Sequence, residues 1–339
     1  MRLTLPGLLL ALTALLAGGD AAWAVLGHLQ LDIGAYLRLG LMAAALLAGA
    51  RLYQTVRPDP RLAAMLFGTG FLCAFSVDAS LLNYLLLPHT GARIDVPLAA
   101  LDRAMGFDWP AAMSWMAAHP RFNAAAFIAY GSMLPQVALL TVVLATHAPA
   151  QVYRFSAALA LSALVCIGIW SLAPSFGAFT VYGSVPSHMI LALDPAYARD
   201  LVKLLKDGPG LISPVEAKGL IGFPSYHAVL ALLVMWHARG LKHLRVPAIL
   251  LNIAVLLATP IQGGHHLVDV LGAIPVAAFA LFIVETSQRA KTAMKPSIMV
   301  NKRRKFTITP VPQGLFRITA EQDDEAPTVP IKPKLSGFP

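Results

Sequence analysis

Two short segments of this 339-residue chain place residues that do chemistry at spacings that let them act together. One is Gly222-Phe223-Pro224-Ser225-Tyr226-His227-Ala228; the other is Gly263-Gly264-His265-His266-Leu267-Val268-Asp269. His265 and Asp269 are four residues apart, so on a helix they stack one turn from each other. A carboxylate at that distance holds one imidazole nitrogen and leaves the other free, which makes a histidine nucleophile or base. The aspartate gains in return, because a buried carboxylate without a partner is costly. Gly263-Gly264 would leave backbone N–H groups open at the start of a predicted helix, a ready site for an anionic phosphate. In the first segment Pro224 suits a helix start, Ser225 can cap the helix or bond a phosphate oxygen, and His227 projects from its first turn.

The elements that carry these segments are set by composition. The chain is 57% hydrophobic and 13% charged, with mean hydropathy +0.67, against roughly 25% charged residues in a soluble domain. It is therefore expected to be an all-α integral membrane protein. A hydrocarbon core of about 30 Å needs about 20 apolar residues per helix, and about eight stretches qualify: 3–27, 34–50, 62–88, 122–146, 153–173, 224–238, 246–262 and 264–284. Ala22-Trp23-Ala24 mimics a signal-peptide cleavage site, but Asp20 interrupts the apolar run and an uncleaved span is favoured. The two chemical segments then sit at the mouths of spans six and eight, at one depth on one side.

Charge gives the orientation. Of the net +9, +6 lies in residues 286–339, which hold ten Lys/Arg and four Asp/Glu. Arg51, Arg57, Arg61, Arg154, Arg239, Lys242 and Arg245 lie in loops on one side of an eight-span arrangement, and the Lys302-Arg303-Arg304-Lys305 run falls there too. The bias of Lys and Arg makes that side, and both termini, cytoplasmic. Residues 28–34, 89–121, 174–223 and the turn at 262–264 face outward. Basic residues beside apolar segments, instead of spread over a folded face, exclude nucleic acid as a partner. Cys73 and Cys166, both in apolar runs, exclude a disulfide framework. Three regions follow: N-terminal membrane helices over 1–60, a catalytic membrane domain over 61–285, and a basic, Pro-rich tail over 286–339 expected to be largely disordered. Residues 101–116 read as an amphipathic segment at the lipid interface, where Trp109 and Phe107 would settle. Asp78 and Gln136, inside spans, are expected to close interhelical hydrogen bonds.

Pro224-Ser225-Tyr226-His227, followed 38 residues later by His265-x-x-x-Asp269, resembles the type 2 phosphatidic acid phosphatase superfamily. More narrowly it is similar to the inositol phosphorylceramide synthase-like (inositolphosphotransferase) branch, whose outer loop Asp102-Arg103 and Gly106-Phe107-Asp108-Trp109 also resemble. The resemblance covers about residues 95–285 and implies a six-helix phosphatase-like core. It implies that His265 attacks phosphorus to form a phosphohistidine, Asp269 orients it, His227 protonates the departing oxygen and Ser225 helps to hold the phosphate, with no cofactor or metal. The substrate would be a lipid phosphate ester met at the outer face of a bacterial inner membrane, the acceptor water or another alcohol.

The chain departs from the broader family where Tyr226 replaces Gly and Ala258-Thr259 replaces Ser-Arg. The lost guanidinium is a bidentate phosphate ligand; Lys218 and Arg103 are its expected replacements, with Gly264 as a backbone donor. The missing Arg and the synthase-like motif favour head-group exchange on a phosphodiester or diphosphate over monoester hydrolysis. Two other readings stand beside this one. A metal-dependent hydrolase would use His265, His266 and Asp269 as ligands, although adjacent histidines diverge on a helix. A transporter or lipid-binding module without chemistry would show inverted repeats or broken helices, and no internal symmetry is seen. Oligomeric state is not legible.

Overall fold

A computed structural model describes residues 4–87, 92–183, 189–194, 197–293, 305–311 and 315–321. Thirteen helices are found among them, and the chain divides into a unit of residues 1–288 and a second of 289–339. The protein is an all-α membrane protein. The helices are α1 (Leu5–Leu26), α2 (Ile33–Thr55), α3 (Pro60–Leu85), α4 (Asp95–Ala104), α5 (Trp109–Ala118), α6 (Pro120–Gly131), α7 (Met133–His147), α8 (Pro149–Leu172), α9 (Phe179–Tyr182), α10 (Tyr197–Asp207), α11 (Tyr226–Ala238), α12 (Arg245–Gln262) and α13 (Leu267–Ala293).

Their starts follow from local chemistry. Asp32, Asp59 and Asp108 each accept a backbone N–H of the first turn of α2, α3 and α5, satisfying donors that the helix itself cannot. Pro60, Pro120 and Pro149 stand in first turns, where a missing N–H costs nothing.

Six described helices, α1, α2, α3, α8, α12 and α13, are long and apolar enough to cross a bilayer, and a seventh span results if α6 and α7 count as one. Those two meet at 45°. Pro135, in the first turn of α7, has no N–H for the Gly131 carbonyl, and its ring crowds that carbonyl, so the expected single span 122–146 is bent instead. The expected sixth span is the 13-residue α11, about 20 Å long at 1.5 Å per residue.

The core lies where α3, α7, α8 and α11 meet, with Phe67, Phe71, Phe155 and Leu233 nearly inaccessible. Gln136 on α7 accepts from Asn252 on α12 at 2.7 Å, an interhelical bond of the kind expected for it. The four loops expected on one side do gather at one end. Leu31 and Ile212 form a parallel bridge, Ser213 donates to Asp32 at 3.0 Å, Ile94 donates to the Pro174 carbonyl, and Leu193 to the Gln262 carbonyl. The Ala35 N–H first, and the Ser213 hydroxyl second, hold the Asp32 carboxyl below the usual range.

Trp109 is not at a lipid interface. It is buried, stacks on Tyr182 with ring centres 5.4 Å apart, and donates its indole N–H to the Pro260 carbonyl at 3.0 Å. That carbonyl lies in the last turn of α12, where helix carbonyls lack internal partners. The second unit contains an antiparallel hairpin, β1 (Lys305–Val311) with β2 (Leu315–Glu321). Residues 305–311 and 315–321 are thus ordered pieces of a tail expected to lack structure, and their Thr, Ile, Val and Phe content suits strands.

Candidate active site

His265 lies in the turn just before α13, not within it. Gly264, at φ +63°, makes that turn; its carbonyl accepts the Ala178 N–H at 2.6 Å, and the Phe179 ring packs where a side chain would stand. His265 Nδ1 is 3.1 Å from Asp269 Oδ2 and 3.0 Å from the Gly222 carbonyl. Both neighbours accept, so Nδ1 carries the proton and Nε2 is left with a lone pair. Ser225 Oγ sits 3.2 Å from that Nε2, and its hydroxyl donates there. Asp269 Oδ2 also accepts the His266 N–H at 2.9 Å, which fixes the carboxylate against the turn. The spacing of four therefore brings His265 and Asp269 together, through a capped turn instead of a helical face.

Ser225 is the N-cap of α11 and accepts the Ala228 N–H at 3.4 Å. Its own N–H donates to the Asp269 carbonyl at 3.0 Å, so the starts of α11 and α13 are tied directly. His227, in the first turn of α11, stacks on Tyr130 of α6 with ring centres 4.3 Å apart and planes 8° from parallel. His227 and His265 both line a cavity of about 490 Å³, together with Tyr130, Gly222, Tyr226 and Gly263.

Two carboxylates not singled out for the site from the sequence hold it in place. Asp102 on α4 accepts from the N–H groups of Leu267 and Val268, each at 3.0 Å, and so caps α13 from another helix. Asp95, also on α4, accepts from Ser175 Oγ and from the Phe176 and Gly177 N–H groups at 2.8–2.9 Å. Ser175 in turn accepts the Gly222 N–H at 2.7 Å. His266 is fully buried and faces Asp102 at 3.3 Å and Asp95 at 4.0 Å. The rings of His265 and His266 thus turn to different carboxylates. The pairing of Asp102 with Leu267 spans 165 residues and leaves no local spacing to read; the Tyr130 stack has no sequence signal either.

The expected phosphate ligands fare unevenly. Ser225 touches His265, but Gly264 does not present an open helix N-terminus, because Asp102 and Asp269 occupy the first N–H groups of α13 and the residue before it. Lys218 pairs through Nζ with Asp200, and this cation holds the Asp200 carboxyl below its usual range. Arg103 donates to the Tyr182 hydroxyl at 3.1 Å. Neither lines the histidine cavity, and among its described lining residues there is no Lys or Arg.

No curated protein and no solved structure matches the chain. A family profile, that of the PAP2 superfamily, matches residues 96–283, which contain α4 but for its first residue, all of α5 to α12, most of α13, and every residue of the two histidine segments. By that match, over more than half of its length, the chain belongs to the PAP2 superfamily and is a membrane enzyme of the lipid-phosphatase type.

Proposed function

We propose that the protein cleaves or transfers the phosphate of a lipid phosphate ester through a phosphohistidine formed on His265, at the outer face of the membrane. One observation carries this reading: Nδ1 of His265 is held by Asp269 and the Gly222 carbonyl, while His265 and His227 line one cavity. In the first step Nε2 attacks phosphorus and the bond to the departing oxygen breaks, while His227 delivers a proton to that oxygen. Asp269 stabilises the imidazolium-like ring as it takes up the phosphoryl group. In the second step His227 removes a proton from water or an alcohol, whose oxygen takes the phosphoryl group and frees His265. A general acid and base placed this way contributes roughly 10²–10⁴-fold.

The electrostatics favour a diester over a monoester. With no Lys or Arg among the described residues of the cavity, a phosphate with one ionised oxygen is better matched than one with two, since an unpaired buried charge is costly. This supports head-group exchange of the inositolphosphotransferase type over simple monoester hydrolysis. The divergent partners of His265 and His266 speak against a shared metal ion.

The test is the fate of phosphorus when the purified protein, in detergent with chelator, meets phosphorus-labelled bacterial lipids beside the His265→Ala variant. Free phosphate lost in the variant identifies water as acceptor; a new labelled lipid or soluble head group identifies transfer. Activity that requires metal, or that survives His265→Ala, overturns the phosphohistidine reading.

A further inference from the structure

An apolar groove of about 700 Å³ runs between α3, α7, α8 and α11, within the membrane-spanning part of the protein. Its size falls inside the roughly 300–1,000 Å³ range of small-molecule sites. On the α3 wall, Leu72, Phe75 and Ala79 flank a row of small polar side chains, Thr69, Cys73, Ser76, Ser80 and Asn83, spaced four and three apart. Asn83 and Tyr226 line both this groove and the histidine cavity, so the two spaces adjoin. The Tyr226 hydroxyl is used, donating to the Leu159 carbonyl at 3.0 Å. Asn83 is different: it is 7% exposed, and its buried Oδ1 has no hydrogen-bond partner. A buried acceptor left unmatched costs about 1–3 kcal/mol, and this one belongs to a residue in the lining of both the groove and the cavity of His265.

We propose that the groove seats the hydrocarbon chain of the substrate lipid, and that Asn83 accepts a hydrogen bond from a hydroxyl or amide N–H that the lipid carries within a few bonds of its phosphate. The occupant is set by the surroundings: a mainly apolar slot, with Lys218 also in its lining, that shares Asn83 and Tyr226 with the cavity of His227 and His265. This inference rests on the phosphate site proposed at His265, and it narrows the substrate to lipids with a donor at the junction of head and tail.

Binding is read apart from turnover. Cys73 lines the groove while Cys166 is fully buried, so the rate of Cys73 alkylation in the full-length His265→Ala protein reports groove occupancy. The probes are methyl hexadecyl phosphate, methyl 2-hydroxyhexadecyl phosphate and dimethyl phosphate. Both long-chain diesters should slow alkylation and dimethyl phosphate should not. The hydroxylated diester should protect at about five- to tenfold lower concentration, the size of one net hydrogen bond. Asn83→Ala should remove that difference, and Ala138→Trp, on an exposed part of the groove wall, should weaken both long-chain probes. Equal protection by the two long-chain diesters, or a difference that survives Asn83→Ala, overturns the role of Asn83; no protection by either overturns the groove. Protection without any turnover by the unmodified enzyme would instead sink the catalytic reading and leave the binding site standing.

Discussion

Asp269→Asn changes one atom and tests what the carboxylate does. An amide keeps the shape, but its NH₂ can face His265 Nδ1 as a donor and force the proton onto Nε2, the atom that must attack phosphorus. We expect turnover to fall about 10²–10⁴-fold with little change in KM, measured by product formation in detergent; a fall confined to KM would contradict an orienting role. Tyr130→Leu removes the ring stacked on His227 and should lower turnover about tenfold while sparing the phosphonylation of His265 by a fluorophosphonate probe, in which Nε2 displaces fluoride from phosphorus. At this scale the sequence was informative where partners are close along the chain. His265 and Asp269, four residues apart, meet as their spacing suggests, whereas the contact of Ser225 with His265 spans 40 residues. It misled at Lys218 and Arg103, whose cationic ends go to Asp200 and Tyr182, residues that no spacing rule pairs with them.

Elements carry the next level of control. Asp102→Ala leaves two donors at the start of α13 without an acceptor and should destabilise the protein by about 1–3 kcal/mol, seen as a lower midpoint of thermal unfolding. Because the same turn carries His265, turnover should fall in the folded fraction as well; unchanged turnover there would separate the cap from the site. Gly264→Ala meets both a left-handed backbone and the Phe179 ring, and a loss of more than about 1 kcal/mol is expected in the same measurement. Caps such as Asp32, Asp59 and Asp108 act only two or three residues ahead along the chain. A cap supplied from a different helix, such as Asp102, is a product of the tertiary fold and has no local signature. Trp109 was misplaced for the same reason: its aromatic character suits an interface, but the carbonyl it serves belongs to α12.

The molecule as a whole was the most legible, because burial in a bilayer is written in composition. Long apolar runs located six described spans and the bent α6–α7 pair, and the loops expected on one side are joined by hydrogen bonds at one end. Which face of the membrane that end meets is testable with single cysteines in whole cells. Gly210→Cys, in the loop expected to face outward, should react with a membrane-impermeant maleimide, and Lys242→Cys, between α11 and α12, should react only after lysis. The reverse pattern would place the histidines on the cytoplasmic face.

The shortness of α11 reaches beyond the protein. A helix of 13 residues covers about 20 Å of a hydrocarbon core about 30 Å thick. In the orientation proposed above, with the Ala238 end of α11 at the cytoplasmic boundary, the end that bears His227 would lie roughly 10 Å beneath the opposite boundary. Lipid phosphates normally ride at the surface, so in that orientation the substrate would have to descend or the bilayer to thin around the enzyme. Membrane thickness then becomes a determinant of rate. Reconstituted in vesicles of increasing acyl length, the protein should turn over its lipid substrate more slowly as the bilayer thickens, while a short soluble phosphodiester, which need not leave the lipid surface, should feel the change far less.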